Sequence, residues 1–284
     1  MAIPERSFTR AAILERLCAT LAGGDPIIAV AAGSGIVAKC AEVAGADLIV
    51  VLCTGISRMQ GLPTTVTLSN ATSMTLSLYP QIDNVVERTP IIAGIEVADP
   101  TRRRLPCVLK EIQDLGFDGV GNFPSVGAIP SWGKARSDVG QGVEREYELL
   151  SLARAVDLFT MGFAFSEEHA RGLTAAGADV VVARCGLTVG GMVGPKEPQL
   201  PLDQSIAHVQ AIVEAARGAN PDVLCLAQGG PFARPDDTEY LYANTDVHGF
   251  LGESAIERIP IEEGVAAEIA ALKAQRLRTP ATTR

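Results

Sequence analysis

Short apolar runs alternate with amphipathic stretches about eight times from Pro26 onward, and most runs end in a glycine-rich or polar loop. Continuous apolar runs of this length are typical of strands covered on both faces, and the stretches between them are typical of helices. Parallel neighbours are reached only through a crossover, so the alternation predicts a β/α fold. The predicted strands are 27–31, 48–52, 91–95, 119–123, 158–163, 180–184, 223–227 and 247–251.

Eight β/α units fit a closed (β/α)8 TIM barrel, whose usual size of about 250 residues leaves room for one further helix. We therefore predict one TIM-barrel domain over residues 1–284, with a leading helix within 1–25 and a flexible tail at 277–284. Phe8, Leu14 and Leu17 recur at helical spacing and predict that the leading helix covers the barrel bottom. Chemistry in such barrels lies at the carboxyl ends of the strands, so the loops after the runs are the expected site.

Composition narrows the class of function. The net charge of -9 argues against nucleic-acid binding, because phosphate backbones require clustered cations. The longest apolar stretches are interrupted by charges, and the first residues lack the apolar core of a signal peptide, so we expect no membrane segment. The six cysteines form neither CxxC pairs nor zinc-type spacings, which is typical of a reducing compartment. We expect a cytoplasmic protein.

The first and third strand ends carry candidate polar groups. After the first strand, a loop with Gly33, Ser34 and Lys39 would let the backbone approach a ligand, although it matches neither a dinucleotide nor a P-loop motif. After the third strand come Glu96 and Asp99, two carboxylates that would hold a divalent cation such as Mg2+ or exchange protons. For Asp99, capping of the next helix is an alternative.

The fourth and sixth strand ends add an amide and a cation. Asn122 lies at the end of the fourth strand. Three acids open the helix after the next loop, and we assign one of them, Glu146, to the carboxyl-terminal end of the barrel. Arg184 ends the sixth strand and must meet an anion there. That anion is either a substrate carboxylate or, alternatively, an internal acid such as Glu96.

The loops after the seventh and eighth strands carry Gln228, Gly229, Gly230 and Ser254. Barrels often bind phosphate on backbone N–H groups at this position, although Glu253 would repel an anion. The three histidines are not assigned to the site. His248 is expected to be structural, whereas His169 and His208 lie on predicted helices and are expected to be exposed.

Taken in order, these segments resemble the phosphoenolpyruvate hydrolase-like TIM-barrel family over about residues 10–275. The motifs that carry the resemblance lie at 32–39, 58–59, 90–94, 99–100, 121–124, 140–148, 186–191, 229–231 and 248–258. The resemblance implies a barrel close to the phosphoenolpyruvate mutase and isocitrate lyase barrels, which use Mg2+ on C–P or C–C bonds of small 2-oxo acids. The same family includes the C-terminal domain of a tomato virus-resistance protein.

The chain departs from the family pattern at the strand ends. Arg184 and Gln228 stand where histidines are typical, Glu253 stands where a small residue is usual, and the mutases' Asp-x-Asp motif is absent. Arg58 is retained after the second strand and is assigned to the site. The fold therefore follows from the resemblance more firmly than the reaction does.

Our hypothesis is a hydrolase or lyase acting on a C–C, C–P or enol-phosphate bond of a small 2-oxo or enol carboxylate through an enolate-type intermediate. Two alternatives are a non-catalytic barrel that binds a small molecule or a partner, and a metal-independent hydrolase or lyase. The predicted catalytic residues are Glu96, Asp99, Asn122 and Glu146, of which Glu96 and Asp99 would hold the Mg2+ or other divalent cation. The predicted substrate-binding residues are Gly33, Ser34, Lys39, Arg58, Arg184, Gln228, Gly229, Gly230 and Ser254.

The last predicted helix, at 260–277, shows an apolar face of Ile261, Val265, Ile269 and Leu272 at helical spacing. Such a face on an outer helix favours self-association. We therefore expect a homo-oligomer with contacts through this helix and the long loops.

Overall fold

Eight parallel strands follow one another around a closed barrel in chain order, and β8 pairs with β1. This is a computed structural model, and it describes residues 7–63 and 70–277. The predicted TIM barrel is confirmed, and the predicted strands differ from the observed ones only at their ends. The strands are β1 (Ile27–Ala31), β2 (Leu48–Val51), β3 (Ile91–Gly94), β4 (Gly119–Gly121), β5 (Phe159–Ala164), β6 (Val180–Arg184), β7 (Leu224–Gln228) and β8 (Gly249–Gly252).

Helices surround the barrel and connect its strands. In the described segments they are α1 (Arg10–Ala22), α2 (Gly35–Val43), α3 (Thr54–Met59), α4 (Ala71–Asp83), α5 (Leu105–Leu115), α6 (Gly133–Asp138), α7 (Glu144–Ala155), α8 (Glu167–Ala175), α9 (Leu202–Ala219), α10 (Pro235–Asn244) and α11 (Arg258–Ala274). Within 7–63 and 70–277, none of these helices combines the length and the apolar character that crossing a bilayer requires.

The strands are buried on both faces, as their apolar runs predict. Leu48 and Val50 of β2 pack in the barrel interior, whereas Ile49 and Val51 pack outward against the helices. This alternation follows from the two-residue period of a strand. Side chains fill the interior, so a ligand has no path through the barrel and binds at an end.

The leading helix α1 lies at the amino-terminal ends of the strands. Leu17 is buried against the interior core, and the Arg10 guanidinium pairs with Asp179, the residue before β6, at 2.7 Å. The Thr20 hydroxyl donates to Asp47, which precedes β2, at 2.7 Å. The helix thus closes the bottom and leaves the carboxyl ends of the strands open. Of the predicted tail, 278–284 lies outside the described residues, and Leu277 is exposed.

The long connections after β2 and β4 contain helical structure. After β2, residues 54–59 form α3. Gly55 lets this helix lie directly against Gly33, since a Cβ at Gly55 would come within 2.6 Å of the Gly33 Cα. The rest of that loop, 64–69, lies outside the described residues. After β4, two short 3-10 helices (Val126–Ala128 and Pro130–Trp132) precede α6.

Candidate functional site

The carboxyl ends of β6, β7 and β8 form a cleft of about 230 Å³. Its position agrees with the rule that barrel sites lie at the carboxyl ends of the strands. The polar side chains that line it are Arg184, Thr188, Gln228, Glu253, Ser254 and Arg258. Three of these, Arg184, Gln228 and Ser254, were predicted from the sequence to bind substrate.

Arg184 is held in the cleft from several sides. Its Nη1 donates to Glu253 Oε1 at 2.7 Å, and its guanidinium carbon lies 5.4 Å from the centre of the Phe123 ring and 5.5 Å from that of Phe165. Its Nε is buried without a hydrogen-bond partner among the described residues. The alternative expectation of an internal acid is correct in kind, but the acid is Glu253 and not Glu96. Two aromatic faces and a carboxylate fix the cation in one place.

Glu253 is the centre of the polar network. Besides Arg184, its carboxylate accepts from Gln228 Nε2 and from Arg58 Nη1, the latter at 3.1 Å. Burial by itself raises the pKa of this carboxyl, but the charges of Arg184 and Arg58 outweigh burial and hold the pKa below its ordinary value. Glu253 is therefore ionised in the cleft.

Arg58 lies behind Glu253, and two of its three guanidinium nitrogens have hydrogen-bond partners, whereas Nη2 is buried without one among the described residues. Its Nε donates to Glu257, and its Nη1 donates to Thr54 Oγ1 at 2.8 Å. Burial alone lowers the pKa of this guanidinium, and the charges of Glu257 and Glu253 more than compensate and raise it. The second oxygen of Glu257 accepts from the Gly33 N–H at 2.5 Å. Two of the predicted substrate-binding groups, Arg58 and Gly33, thus have internal partners.

Sequence reasoning assigned no role to Glu257. It lies four residues after Glu253, a spacing that places two side chains on one side of a helical turn. Two features of the sequence could have identified Glu257 as a residue of the site: its spacing of four from Glu253 after the last strand, and its place in the family motif at 248–258.

The paired glycines after β7 serve close packing between two loops. Gly229 and Gly230 have φ values of +79° and +61°, which favour glycine. A Cβ at Gly229 would lie 2.2 Å from the Gly186 carbonyl oxygen, and the Gly230 N–H donates to that same oxygen at 3.2 Å. The N–H of Gly230 is thus already used within the protein, and ligand binding by this loop stays a prediction.

The remaining residues of the β1 loop lie apart from the cleft lining. Ser34 occupies the N-cap position of α2, but its hydroxyl donates to Met59 Sδ at 3.3 Å. Lys39 is exposed on α2. Neither side chain lines the cleft between β6 and β8.

Two buried carboxylates follow β3. Glu96 is 5% exposed and Asp99 is 2% exposed. Burial and the charge of Asp99 raise the pKa of Glu96 to about 7. Asp99 Oδ1 accepts from the Thr101 N–H at 2.8 Å and from its hydroxyl at 2.7 Å. The alternative expectation that Asp99 caps a helix is wrong, because α5 begins only at Leu105.

The free oxygens of this pair fit a hydrated divalent cation. Glu96 Oε2 and Asp99 Oδ2 are both buried and have no hydrogen-bond partner within the described segments. Carboxylate oxygens are the ligands that Mg2+ prefers, usually one or two of them with water or substrate oxygens completing the shell. No group of three or more His, Cys, Asp or Glu side chains in 7–63 and 70–277 is arranged to hold a metal. Water or substrate would therefore have to supply the other ligands.

Asn122 and Glu146, both predicted to be catalytic, contact each other within a buried network. Glu146 is fully buried, and its Oε2 accepts from Asn122 Nδ2 at 2.5 Å and from the Ser125 hydroxyl at 3.1 Å. Its Oε1 accepts from the Val126 N–H at 2.6 Å. These bonds fix the loop after β4, and neither side chain lines the cleft. Their catalytic role remains a prediction.

Two of the three histidines, His169 and His208, are less exposed than expected. His169 is buried at 4% exposure, because α8 turns it toward the loop after β4, where its Nε2 lies 2.8 Å from Glu146 Oε2. The expectation that it is exposed is wrong. His208 is half-buried, with its Nε2 3.1 Å from the Arg184 carbonyl oxygen. His248 is structural, as expected, and its Nδ1 accepts from the Cys225 N–H at 2.9 Å.

Comparison with known proteins gives both a family match and distant relatives. The model of the family described as phosphoenolpyruvate hydrolase-like matches residues 12–274. The ToMV susceptible protein tm-1(GCR26) and the ToMV resistance protein Tm-1(GCR237) of Solanum lycopersicum are each 36% identical over 271 residues, which is 94% of this chain and 36% of theirs. The chain thus spans about a third of the length of these curated relatives.

Among solved structures, phosphonopyruvate hydrolase in complex with oxalate and Mg2+ superposes with a TM-score of 0.59 at 21% identity, covering 94% of this chain and 92% of that one. Oxaloacetate acetylhydrolase with its product oxalate gives a TM-score of 0.58 at 13% identity, covering 96% and 91%. At these identities the likeness is one of fold.

Proposed function

The chain belongs to the phosphoenolpyruvate hydrolase-like family, and from this premise we propose that it is a hydrolase or lyase of a small 2-oxo or enol carboxylate. The observation that carries the proposal is Arg184, a buried cation that lines the cleft at the carboxyl end of β6. An immobilised guanidinium binds a carboxylate with geometric specificity. The solved structures of similar fold with bound oxalate support the same class of ligand.

In this proposal each cleft residue has one task. Arg184 binds the substrate carboxylate, and the Glu253 carboxylate and the two phenylalanine rings keep its guanidinium in place. The Ser254 hydroxyl and the Gln228 amide line the same cleft and orient the substrate. Fixed groups of this kind lower the barrier because they need no reorganisation during the reaction.

We assign the acid–base or cation chemistry to Glu96 and Asp99, which follow β3 and are not among the residues that line the cleft. A divalent cation held by this pair would stabilise the negative charge of an enolate. Without a cation, Glu96 holds or releases a proton at Oε2, and its pKa of about 7 makes both protonation states available near neutral pH. The second case corresponds to a metal-independent hydrolase or lyase, and metal content of the purified protein separates the two.

The test is capture of a ligand by native mass spectrometry after incubation with a metabolite extract. Wild-type protein is expected to retain a small carboxylate, and Arg184→Ala is expected to bind it more weakly by about 2–4 kcal/mol. The captured compound is then supplied as substrate, and turnover is measured. Capture of no carboxylate, or equal capture by Arg184→Ala with an unchanged thermal melt, would refute the proposal. Capture without turnover would favour a non-catalytic binding barrel.

A further inference from the structure

Three arginines in and directly behind the cleft are paired with carboxylates of the protein. Arg184 pairs with Glu253, and Arg58 lies between Glu253 and Glu257. The third arginine is balanced in the same way: Arg258 Nη1 donates to both oxygens of Glu262 at 2.9 and 3.0 Å, and its Nη2 donates to the Gly190 carbonyl oxygen at 3.0 Å. The two arginines that line the cleft, Arg184 and Arg258, therefore each have a carboxylate partner among the described residues, Glu253 and Glu262.

A phosphoryl group would meet unfavourable surroundings here. Glu253 lines the cleft directly, and its ionised form is stabilised by two arginines. A dianion placed beside it would be repelled at short range. Of the backbone N–H groups in the loop after β7, the position where barrels often bind phosphate, that of Gly230 already donates to the Gly186 carbonyl oxygen.

The cleft instead offers neutral hydrogen-bonding groups. Thr188 and Ser254 line it at 7% and 6% exposure, and neither hydroxyl has a hydrogen-bond partner in the described part of the chain. Gln228 donates its amide N–H to Glu253, which leaves Gln228 Oε1 without a partner there. These groups can both donate to and accept from a hydroxyl or carbonyl group of a ligand.

We infer that Glu253 is a specificity-determining residue, and that it restricts the cleft to small carboxylates with a single negative charge and a hydroxyl or carbonyl group. Phosphorylated and dianionic carboxylates are rejected because Glu253 already occupies one side of Arg184. This chain is therefore expected to differ from the solved structures of similar fold that bind the dianion oxalate, and to share with them only the preference for a small carboxylate. This inference rests on the proposed function and narrows it. Of the bonds considered, a carbon–carbon bond of a hydroxy or oxo monocarboxylate is favoured over a C–P or enol-phosphate bond.

The test is a charge series measured by titration calorimetry, with Mg2+ kept constant in every titration. The probes are pyruvate and glycolate, with one negative charge, oxalate with two, and phosphoenolpyruvate. Wild-type protein is expected to bind pyruvate or glycolate at least roughly tenfold more tightly than phosphoenolpyruvate. Glu253→Gln is expected to shrink this ratio by roughly tenfold, because it removes the repelling charge and keeps the shape. Glu239→Gln, on the exposed surface of α10, is the matched control and should leave the ratio unchanged.

If Glu253→Gln does not fold, the order of ligand affinities measured with the wild-type protein still tests the inference. Ser254→Ala provides a second variant without a charge change, and it should weaken glycolate binding while leaving the order of the charges intact. Wild-type binding of phosphoenolpyruvate or of oxalate that is as tight as that of pyruvate, or tighter, would overturn the inference, as would an unchanged ratio in folded Glu253→Gln. Binding of no carboxylate of any charge would overturn the proposed function as well, so the two failures are distinguishable.

Discussion

Glu96 is a buried carboxyl beside a second carboxylate, so its protonation is linked to folding. Its pKa is raised from 4.5 to about 7 by burial and by Asp99. The folded state therefore retains a proton that the unfolded state releases between these two values. The stability associated with protonated Glu96 is complete below about pH 4.5, falls as the pH rises to about 7, and changes no further above it.

We predict that Glu96→Gln abolishes the fall in folding stability that ionisation of Glu96 causes as the pH rises. The stability of the variant relative to wild type should be greater at pH 8 than at pH 5, by about 1–3 kcal/mol in unfolding free energy. The measurement is urea denaturation at both pH values with EDTA present, so that no cation compensates the charge. Glu239→Gln is the control for loss of a surface charge. An equal effect of Glu96→Gln at both pH values would show that Glu96 titrates normally.

At the level of elements, the contact between α3 and the β1 loop positions Arg58. The contact depends on Gly55 and Gly33, whose backbones approach so closely that a methyl group at Gly55 would lie 2.6 Å from the Gly33 Cα. Displacement of α3 would also disturb the bonds of Arg58 to Glu253 and Glu257. A methyl group added at Gly55 would therefore disturb both the packing of α3 and the ion pairs of Arg58 behind the cleft.

We predict that Gly55→Ala lowers the unfolding free energy by about 1–3 kcal/mol, as overpacking of a dense contact does. Gly218→Ala is the matched control, because Gly218 is an exposed helical glycine where an added methyl group would meet nothing within 4 Å. Alanine at that position should be neutral or stabilising. Thermal melts of the two variants provide the comparison. If Gly55→Ala and Gly218→Ala melt at the same temperature, α3 can move away from the β1 loop without loss of stability, which would contradict the prediction.

At the level of the whole molecule, α11 projects an apolar face into solvent. Ile261, Val265, Ile269 and Leu272 are 42–56% exposed along one side of the helix. At the start of α11, an apolar groove lies between this helix and α2, where Ile36 is 66% exposed. Contiguous apolar surface of this kind on one outer face is typical of a protein–protein contact.

We predict that this face joins two copies of the chain, because a helix stripe and an adjoining apolar groove on one molecule allow a symmetric contact. Sedimentation at micromolar concentration should show a species larger than 29.7 kDa. Val265→Glu combined with Ile269→Glu should dissociate it to the monomer without lowering helix content. A monomeric wild-type protein would contradict the prediction.

The apolar pattern alone determined the barrel and the position of its mouth. A strand buried on both faces is apolar along its length and can therefore be recognised from its own residues, as in β2, where every residue of Leu48–Val51 is apolar and buried. The order of strands in a barrel then follows the chain. The sequence also placed Arg184 at the cleft, because its position at the end of an apolar run can be read from the neighbouring residues alone.

Only the tertiary structure decided the partners of these groups. Arg58 and Glu257 are separated by 199 positions in the chain, and they meet because closure of the barrel brings β8 beside β1 and the helix after β2. His169 is buried because α8 turns it toward Glu146, which no local pattern of charge or polarity indicates. Burial and ion pairing are properties of the assembled packing, and the energy of a charge depends on its surroundings more than on its identity.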